Sequence, residues 1–502
     1  MMVEVEKDMK KNDLTKVIGI SFLVFVVLSW IIKAGSYSSG VFTAGELSPV
    51  GIYDIVKIVL GIFGNYTIYG IIFLLIGALY GVMNKTGVYS DMIKKFTKHS
   101  KGSEKRFLVL SIVLFAILGS ISGFNIALFI IVPFFVAVIM SLGYDKLTAL
   151  LATVGSIIVG NIGSTYGFEI SGYLNLYYGL KVHGDIITKV IFLAILILIT
   201  ILFVTQHAKL QKVAAPKKKA TKKAKKDTKE EKPIAAAKLD IPLYEVVENK
   251  KKKSVVPLAI VLVLTFVVLI VGLYNFKYAF NIDLFEDLYT SVTTFKVADF
   301  PIFQYLMGSM NPFGAWNLGE IGFVLVVACF LIGWLYSLKM KDILGAMKDG
   351  MKEMVWVAVI AIIANIIMYL VLPSSSTGMH SNIYITMSDF ILGLTKGFNW
   401  LTAGLSAFLG SFFYNDFKYL IDATSATMAT MNTNAATYPA LALLYQAIHG
   451  IVMLVAPVSL MLMAGLAYLK VSFKEWFLYI WKFLLQLLII TVLVLAIVLA
   501  FV

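Results

Sequence analysis

The chain has 502 residues, of which 59% are hydrophobic and only 14% are charged. Ordinary soluble domains contain about 25% charged residues, so this chain has too little polar surface to fold alone in water. A soluble enzyme, a secreted disulfide-rich domain and a nucleic-acid-binding protein are therefore disfavoured. The net charge of +14 does not change this, because residues 207–253 alone hold 16 Lys against 6 acidic residues. We predict an all-α polytopic membrane protein with the lipid bilayer, and not nucleic acid, as its surroundings.

Apolar segments approaching the roughly 20 residues that cross a bilayer begin directly after the charged N-terminus. The first, 17–32, lacks a convincing cleavage site and is predicted to be a retained membrane helix and not a signal peptide. The further predicted segments are 67–83, 107–122, 125–141, 147–165, 189–206, 255–274, 321–338, 354–372, 382–394, 401–413, 439–469 and 476–502. Together they predict about 10 to 13 membrane segments.

The Lys-rich segment divides the chain into two parts of similar size. We predict an N-terminal membrane repeat preceded by an extra first helix (1–206), a disordered cytoplasmic linker (207–253) and a C-terminal membrane repeat (254–502). Within the linker, residues 216–233 are almost free of apolar side chains. Such a segment cannot bury enough surface to order itself.

The distribution of basic residues predicts the orientation in the membrane. Seven Lys or Arg residues lie in 85–106 and four in 338–353, whereas 34–66 contains only Lys57. By the positive-inside rule, the N-terminus, the linker and both basic loops are cytoplasmic. The C-terminus then lies outside, and the protein is expected in the cytoplasmic membrane.

The two parts of the chain follow a similar pattern. In each, an apolar segment leads into a basic amphipathic stretch (84–98 and 337–354). An apolar pair with a tip of small and hydroxyl residues follows (119–125 and 373–382). Two such halves indicate an internal duplication, which is the usual plan of secondary transporters. Loop charges do not distinguish a re-entrant hairpin from one that crosses the membrane twice, so both topologies stay open.

Four polar breaks interrupt apolar segments, at 119–125, 160–165, 373–377 and 456–459. Unpaired backbone groups are costly in hydrocarbon, so a break is tolerated only within protein or beside a watery cavity. Free N–H groups at the start of a helix attract a carboxylate. We therefore predict a substrate site formed by the side chains at these breaks: Ser120, Ser122, Asn125, Asn161, Ser164, Thr165, Ser374, Ser375, Ser376, Thr377 and Ser459. The alternative for each break is a helix–helix packing site, since small residues permit close approach.

Charged groups within the apolar segments are sparse. The acidic candidates are Glu169, Asp389, Asp416 and Asp422, and intramembrane acids are functional candidates by default, although each of these could lie at an interface. No buried Lys or Arg is obvious, so an anion is expected to be held by helix ends and hydroxyls. Hard oxygen ligands also suit Na⁺, and we place a candidate sodium site near Asn161 and Ser376. The expected coupling ion is Na⁺ or H⁺, and no cofactor is expected.

Enzyme motifs are missing from the sequence. There is no Walker A loop, which disfavours an ATP-driven pump, and there is no HExxH or CxxC pattern. The five His residues are scattered, and His380 and His449, which lie near apolar segments, are expected to be packed or hydrogen-bonded helix residues. The sequence predicts that the protein is not an enzyme.

Six short motifs, in order, resemble a known family. They are SWIIKAGSY (29–37), LIGALYGVMNKTG (75–87), LGYDKLTAL (142–150) with GSTYGFEI (163–170), PSSSTG (373–378), and APVSLMLMAGLAYLKVSFKEW (456–476). The chain resembles the YfcC-like branch of the anaerobic dicarboxylate carrier family, within the ion transporter superfamily. It departs from the family pattern at 163–170, which lacks an Asn-Pro pair, and at Val458, where Thr is usual. Residues 414–444 look like an insertion.

The resemblance implies two pseudo-symmetric repeats, which we expect to be inverted, each with a re-entrant hairpin and a broken helix. It implies secondary transport of a small carboxylate-bearing solute, either a dicarboxylate or a basic amino acid, by symport or exchange. Relatives in the superfamily are often dimers, so a homodimer is an open alternative. Two other functions also remain open: a channel or passive pore for a small anion, and an assembly factor that docks through the Lys-rich linker.

Overall fold

The structure is a computed structural model that describes residues 2–38, 41–123, 125–181, 184–208, 240–370, 381–395 and 397–501. Helices make up most of the described chain. Eight helices in these ranges are long and apolar enough to cross a membrane: Asp13–Ile31, Ile52–Lys85, Glu104–Ser122, Ile186–His207, Val256–Leu273, Leu318–Leu335, Ala435–Met453 and Phe473–Ala500. The predicted class, a mainly helical polytopic membrane protein, is confirmed.

The first half of the chain folds into helices of very different length. Its elements are α1 (Met2–Ile31), β1 (Gly35–Ser38), β2 (Val41–Ala44), α2 (Ile52–Lys85), α3 (Val88–Ser100), α4 (Glu104–Ser122), α5 (Asn125–Leu128), α6 (Val132–Ser141), α7 (Lys146–Leu150), α8 (Ser156–Ile162), α9 (Phe168–Tyr178) and α10 (Ile186–His207). A π-helical turn, Leu151–Gly155, joins α7 to α8. The side chain of Asp145 caps α7 by accepting a hydrogen bond from the Thr148 N–H, which satisfies one of the free donors at a helix start.

The second half contains further long helices and several short ones. Its elements are α11 (Val256–Leu273), α12 (Phe276–Phe280), α13 (Leu284–Thr294), α14 (Ile302–Met307), α15 (Leu318–Leu335), α16 (Met340–Ile366), β3 (Ser381–Asn382), α17 (Ile383–Leu392), α18 (Trp400–Phe413), α19 (Phe417–Met431), α20 (Tyr438–Met453), α21 (Leu460–Leu469) and α22 (Phe473–Ala500). Short 3₁₀ turns lie at Ile367–Leu370 and Ala435–Thr437. The predicted segments 125–141 and 439–469 each comprise two helices, because the chain turns at 129–131 and at 454–459.

Helices α2 and α16 form the most intimate contact between the halves. A Cβ atom added at Gly350 would lie 2.0 Å from the Gly77 carbonyl oxygen, and one added at Gly81 would lie 2.2 Å from the Ala346 carbonyl oxygen. Gly77 and Gly81 form a GxxxG pair, which lets two helix backbones touch. The absence of side chains at these positions therefore fixes how the two halves are joined.

Helix α6 returns beside α4, so the tip at 119–125 turns the chain back on itself. The Phe135 ring on α6 contacts both Phe107 and Phe115 on α4, with ring centroids 5.7 and 5.0 Å apart. Gly123 ends α4 with a φ of +67°, a conformation that glycine adopts without strain. The first half thus contains a helical hairpin where the sequence predicted one.

A small three-stranded sheet departs from the all-helical prediction. Strand β1 pairs antiparallel with both β2 and β3, in the order β2-β1-β3. It joins the end of α1 to the start of α17, and Thr386 on α17 donates a hydrogen bond to the Lys33 carbonyl at 2.7 Å. Strands of two to four residues are too short to show an alternating pattern, which explains why the sequence did not reveal them.

Residues 240–254, here named the strap, cross one end of the molecule. The Leu243 N–H donates to the Glu353 carboxylate at 3.0 Å, and the Leu243 carbonyl accepts from the Asn84 amide at 3.2 Å. The Ser90 hydroxyl donates to the Glu245 carbonyl at 2.7 Å, and the Tyr468 hydroxyl donates to the Pro242 carbonyl at 3.0 Å. The strap therefore touches α2 and α3 of the first half and α16 and α21 of the second.

The strap differs from the predicted linker boundary at residue 253. Leu243 is only 1% exposed and Ile241 is also buried, so the packed chain begins again at residue 240. The overall composition of residues 207–253 is dominated by Lys, so it did not reveal the contribution of these two apolar residues. The remaining linker residues, 209–239, lie outside the described residues.

The basic loops gather at the end of the molecule where the strap lies, here named the basic end. Lys85 lies 3.8 Å from Asp342, and Lys470 lies 3.5 Å from Asp240. The Phe473 N–H at the start of α22 donates to the Asp13 carboxylate at 2.8 Å. Helices α1, α11, α16 and α22 thus start at this end, and α2, α15 and α21 finish there.

Candidate functional site

The first two polar breaks meet at Ser120. Its hydroxyl donates a hydrogen bond to the Gly163 carbonyl at 2.8 Å and accepts one from the Thr165 N–H at 3.0 Å. The Ser120 carbonyl accepts the Gly167 N–H at 3.2 Å and the Ser164 hydroxyl at 3.3 Å. Backbone groups that the broken helix leaves free between α8 and α9 are thereby satisfied within the protein, as burial in a membrane protein requires.

Replacement of Ser120 by alanine is expected to destabilise this junction. The loss leaves the buried Gly163 carbonyl short of a donor, which costs about 1–3 kcal/mol. Thermal unfolding of the purified protein in detergent would measure the effect. The matched control is Ser111→Ala on the same helix, because the Ser111 hydroxyl only donates to the Phe107 carbonyl of its own helix, where the change is expected to be nearly neutral. Equal unfolding temperatures for both variants would contradict the role of Ser120.

Glycines at the same two breaks allow α4 and α8 to touch. A Cβ atom at Gly160 would lie 2.2 Å from the Ala116 carbonyl oxygen, and one at Gly119 would lie 2.5 Å from the Ile157 carbonyl oxygen. The packing alternative that the sequence left open therefore applies to these glycines. The neighbouring Ser120 hydroxyl and Asn161 amide instead donate hydrogen bonds.

A cavity of about 340 Å³ lies between the halves, beside the meeting breaks. It is here named the central cavity. Its walls come from α2, the α4–α5 tip, α8 and α9 in the first half, and from the ends or faces of α11, α15, α16, α19, α20 and α21 in the second. The polar and charged residues lining it are Asn125, Asn161, Glu169, Asn317, Asn365, Asn415, Asp416, Lys418, Gln446, His449 and Ser459.

Two pairs of asparagines face this cavity, one from each half. The Asn161 amide donates to the Asn125 side-chain oxygen at 3.0 Å, and the Asn415 amide donates to the Asn365 side-chain oxygen at 2.6 Å. The remaining oxygens, Oδ1 of Asn161 and Oδ1 of Asn415, are buried and have no hydrogen-bond partner among the described residues. A buried acceptor without a partner is costly, so both oxygens are available to a donor or cation that enters the cavity.

Three charged side chains line the same cavity. Lys418 Nζ lies 3.6 Å from Asp416 Oδ2 and 4.8 Å from the centroid of the Tyr419 ring. Glu169 packs against the hairpin tip, since a Cβ atom added at Gly123 would lie 3.2 Å from the Cβ atom of Glu169. Asp416 also caps α19 by accepting the Lys418 N–H at 3.1 Å.

Lys418 is a partly buried basic side chain in the cavity wall, where the sequence had made no buried Lys or Arg obvious. Its segment, 414–418, joins α18 to α19 and forms part of the cavity wall. Because 414–444 is less apolar than its neighbours, it resembled an insertion. The available signal was the Asn-Asp-Phe-Lys sequence at 415–418, where an N-capping acid is followed two residues later by a cation.

Helix α20 connects the broken helix to the cavity. The Gln446 amide donates to the Ile162 carbonyl at 2.9 Å and to the Ser164 carbonyl at 3.3 Å. Gly450 fits closely against Ile162. His449 is a buried helix residue that packs against Phe417, in agreement with the sequence prediction. It also lines the cavity, and its Nδ1 has no hydrogen-bond partner among the described residues.

The predicted site residues fall into several groups. Asn125, Asn161 and Ser459 line the central cavity. Ser120, Ser164 and Thr165 form the hydrogen-bonded junction next to it. The Ser122 hydroxyl donates to the Leu118 carbonyl of its own helix at 2.7 Å. Ser374, Ser375, Ser376 and Thr377 lie outside the described residues, as does His380.

Two of the predicted acids lie away from the cavity lining. Asp389 accepts a hydrogen bond from the Tyr37 hydroxyl at 3.1 Å, and Asp422 accepts one from the Tyr177 hydroxyl. Within the described ranges there is no group of three or more His, Cys, Asp or Glu side chains that could hold a metal. Of the two residues named for the predicted sodium site, Asn161 lies within the described residues and Ser376 lies outside them.

Comparisons with known proteins give a family match and a structural similarity. A family model described as DcuC, C4-dicarboxylate anaerobic carrier, matches residues 13–500. Among curated proteins, nothing matches the chain. Among solved structures, the chain is similar to the YdaH transporter of Alcanivorax borkumensis, with 11% identical residues, a TM-score of 0.32 and 98% of each chain covered.

Proposed function

Because the chain belongs to the family of C4-dicarboxylate anaerobic carriers, we propose that it is a secondary active transporter of a small carboxylate-bearing solute. The family is one of membrane carriers, not of enzymes. The observation that best supports this function is the central cavity, which both halves line with polar side chains in an otherwise apolar protein. A binding site at the junction of two halves is the arrangement that alternating access requires.

Lys418 is the group proposed to bind the carboxylate of the solute. It is the one cationic side chain among the described residues that line the cavity. Its partial burial strengthens an ion pair relative to one in water. The amide groups of Asn125 and Asn365 line the same cavity and offer further hydrogen-bond donors to the solute.

The other charges in the cavity favour an amino acid over a dicarboxylate. Glu169 and Asp416 would repel the second carboxylate of a dicarboxylate, because two like charges in a half-buried site destabilise each other. The ammonium or guanidinium group of a basic amino acid would instead pair with these acids. It would also donate to the unpartnered oxygens of Asn161 and Asn415. We therefore propose a basic amino acid as the solute within this class.

Counterflow in proteoliposomes tests both levels of the proposal. Separate batches are preloaded with unlabelled arginine, ornithine, aspartate, succinate, malate or citrate, and entry of the matching labelled solute is followed with and without Na⁺. We expect accumulation with arginine or ornithine. Accumulation with succinate or malate alone would support the proposal of a transporter but would contradict the proposal that its solute is a basic amino acid. Entry without any stimulation by the preload would support the passive pore and contradict a carrier.

The orientation follows from the basic end. Positive residues favour the cytoplasmic side, so we propose that the N-terminus and the strap are cytoplasmic and that the C-terminus is external. Symport with Na⁺ or H⁺, exchange, and a homodimer all remain compatible with the proposal. The sodium arm of the counterflow experiment tests Na⁺ coupling directly.

Deletion of residues 214–236 is expected to leave transport nearly unchanged. The deletion removes Lys-rich linker residues and keeps the strap, which begins at residue 240 and hydrogen-bonds to helices of both halves. Counterflow with the deleted protein measures the effect at matched protein content. Loss of activity in a folded deletion variant would favour the assembly factor that docks through the linker.

A further inference from the structure

The segment between α11 and α15 exposes an unusual amount of apolar surface. No residue in 280–310 is buried, and helices α13 and α14 contribute no buried side chain. The large apolar side chains exposed here are Phe280, Ile282, Leu284, Leu288, Phe295, Val297, Phe300, Phe303, Tyr305 and Leu306. Contiguous exposed apolar surface of this kind marks a contact with another molecule or with lipid. Residues 281–309 are here named the flap.

The flap begins and ends at one boundary of the membrane. Helices α11 and α15 are each long enough to cross a membrane, and they pack against each other. The Lys253 ammonium at the start of α11 donates to the Tyr336 carbonyl at the end of α15, so these ends share the basic end. Leu273 and Leu318 must then lie together at the opposite boundary, with the flap between them.

The flap is attached there to the first half. The Tyr278 hydroxyl donates to the Ser171 carbonyl on α9 at 2.8 Å, and the rings of Tyr166 and Phe280 lie 5.5 Å apart. Lys277 lies 3.1 Å from Asp283 and 2.6 Å from Glu286. These contacts hold the start of the flap against α9, just beyond the end of α11. Along α11 itself, Ile260, Val263 and Val267 are also exposed.

The residue pattern of the flap identifies its partner. On α13, Leu284, Leu288 and Val292 follow a spacing of four residues and share one face, whereas Glu286 and Thr290 lie on the other. Amphipathic helices of this kind lie in the plane of the membrane interface, and aromatic residues are enriched at that depth. Acidic residues outnumber basic ones in the flap, so attraction to anionic lipids is not the source of binding.

We propose that the flap lies in the headgroup–acyl boundary of the leaflet opposite the basic end, with the apolar face of α13 in contact with lipid. The flap is thus a membrane-surface element at the end of α11 opposite the basic end. This placement does not depend on the solute or on the transport mechanism.

Spin labels on α13 test the depth of the flap. The full chain carries Cys329→Ala, which removes the single native cysteine, itself fully buried. A nitroxide is attached in zwitterionic phosphatidylcholine liposomes either at Leu288→Cys or at Thr290→Cys, the matched position on the opposite face. Both positions are exposed and unpacked, so neither change is expected to affect folding. Collision rates with oxygen, which concentrates in lipid, and with a water-soluble nickel complex are then compared.

We expect the label at 288 to collide mainly with oxygen and the label at 290 mainly with nickel. Nickel access at both positions would overturn the proposal by placing the flap in water. Shielding of position 288 from both agents, with spin–spin broadening between protomers, would also overturn it and would identify a second copy of this chain as the partner. A phosphatidylglycerol-containing liposome should give the same depth, because the apolar face and not charge holds the flap.

Discussion

Replacement of Lys418 by methionine is expected to lower counterflow about 10- to 100-fold, which corresponds to the loss of a charged hydrogen bond of about 1.5–3 kcal/mol. Methionine keeps the length and much of the volume of the side chain but cannot pair with a carboxylate. The change also leaves Asp416 without the cation that lies 3.6 Å away. Initial counterflow rates over a range of solute concentrations measure the effect.

The control for this experiment is Lys352→Met on α16. Lys352 is an exposed residue whose ammonium lies 3.5 Å from the Asp349 carboxylate, and exposed pairs contribute little. We expect counterflow by that variant to equal the wild-type rate. Lys418→Arg, which keeps the charge, should retain part of the activity. A wild-type rate of transport by Lys418→Met would contradict the proposal that Lys418 binds the carboxylate of the solute.

Replacement of Gly350 by alanine is expected to lower the free energy of unfolding by about 1–3 kcal/mol or more. The added methyl group would lie 2.0 Å from the Gly77 carbonyl oxygen. Because that neighbour is backbone in another long helix, neither helix can yield by rotating a side chain. The two halves would have to separate locally, and thermal unfolding in detergent would report the loss.

The matched control lies five residues earlier on the same helix. Gly345 has no atom within 4 Å of an added Cβ, so Gly345→Ala is expected to stabilise α16 by about 0.5–1 kcal/mol through reduced backbone freedom. The two variants carry the same chemical change and should shift the free energy of unfolding in opposite directions. A Gly350→Ala protein as stable as the wild type would contradict the close contact of α2 with α16.

Hydropathy was sufficient to predict the fold class, and short motifs were needed to identify the family. Long apolar segments identify membrane helices because each must satisfy its own backbone hydrogen bonds, and the motif order identified the carrier family, which the match over residues 13–500 confirms. The two pseudo-symmetric repeats remain a prediction. The strands β1 to β3 were not predicted because two to four residues are too few to show an alternating pattern, and the pairing of β1 with β3 also joins residues distant in the sequence, such as Gly35 and Asn382.

The candidate site was predictable only in part. Asn125 and Asn161 stood out because a break within an apolar segment must have a polar surrounding. Lys418 did not, because it lies in a segment polar enough to pass for a surface loop, and only tertiary packing turns that segment inward. Gln446 was also not predicted, because it lies within an apolar helix. Its role depends on the Ile162 and Ser164 carbonyls at the break at 160–165, and only the folded structure brings it next to them.

The strap has a consequence for how this protein can be encoded. The strap hydrogen-bonds to α2 and α3 of the first half and to α16 and α21 of the second, and α2 also packs directly against α16. These noncovalent contacts join the two halves where they meet. In evolutionary terms, we expect that two adjacent genes, the second beginning with the strap, would encode chains that assemble as the single fused chain does.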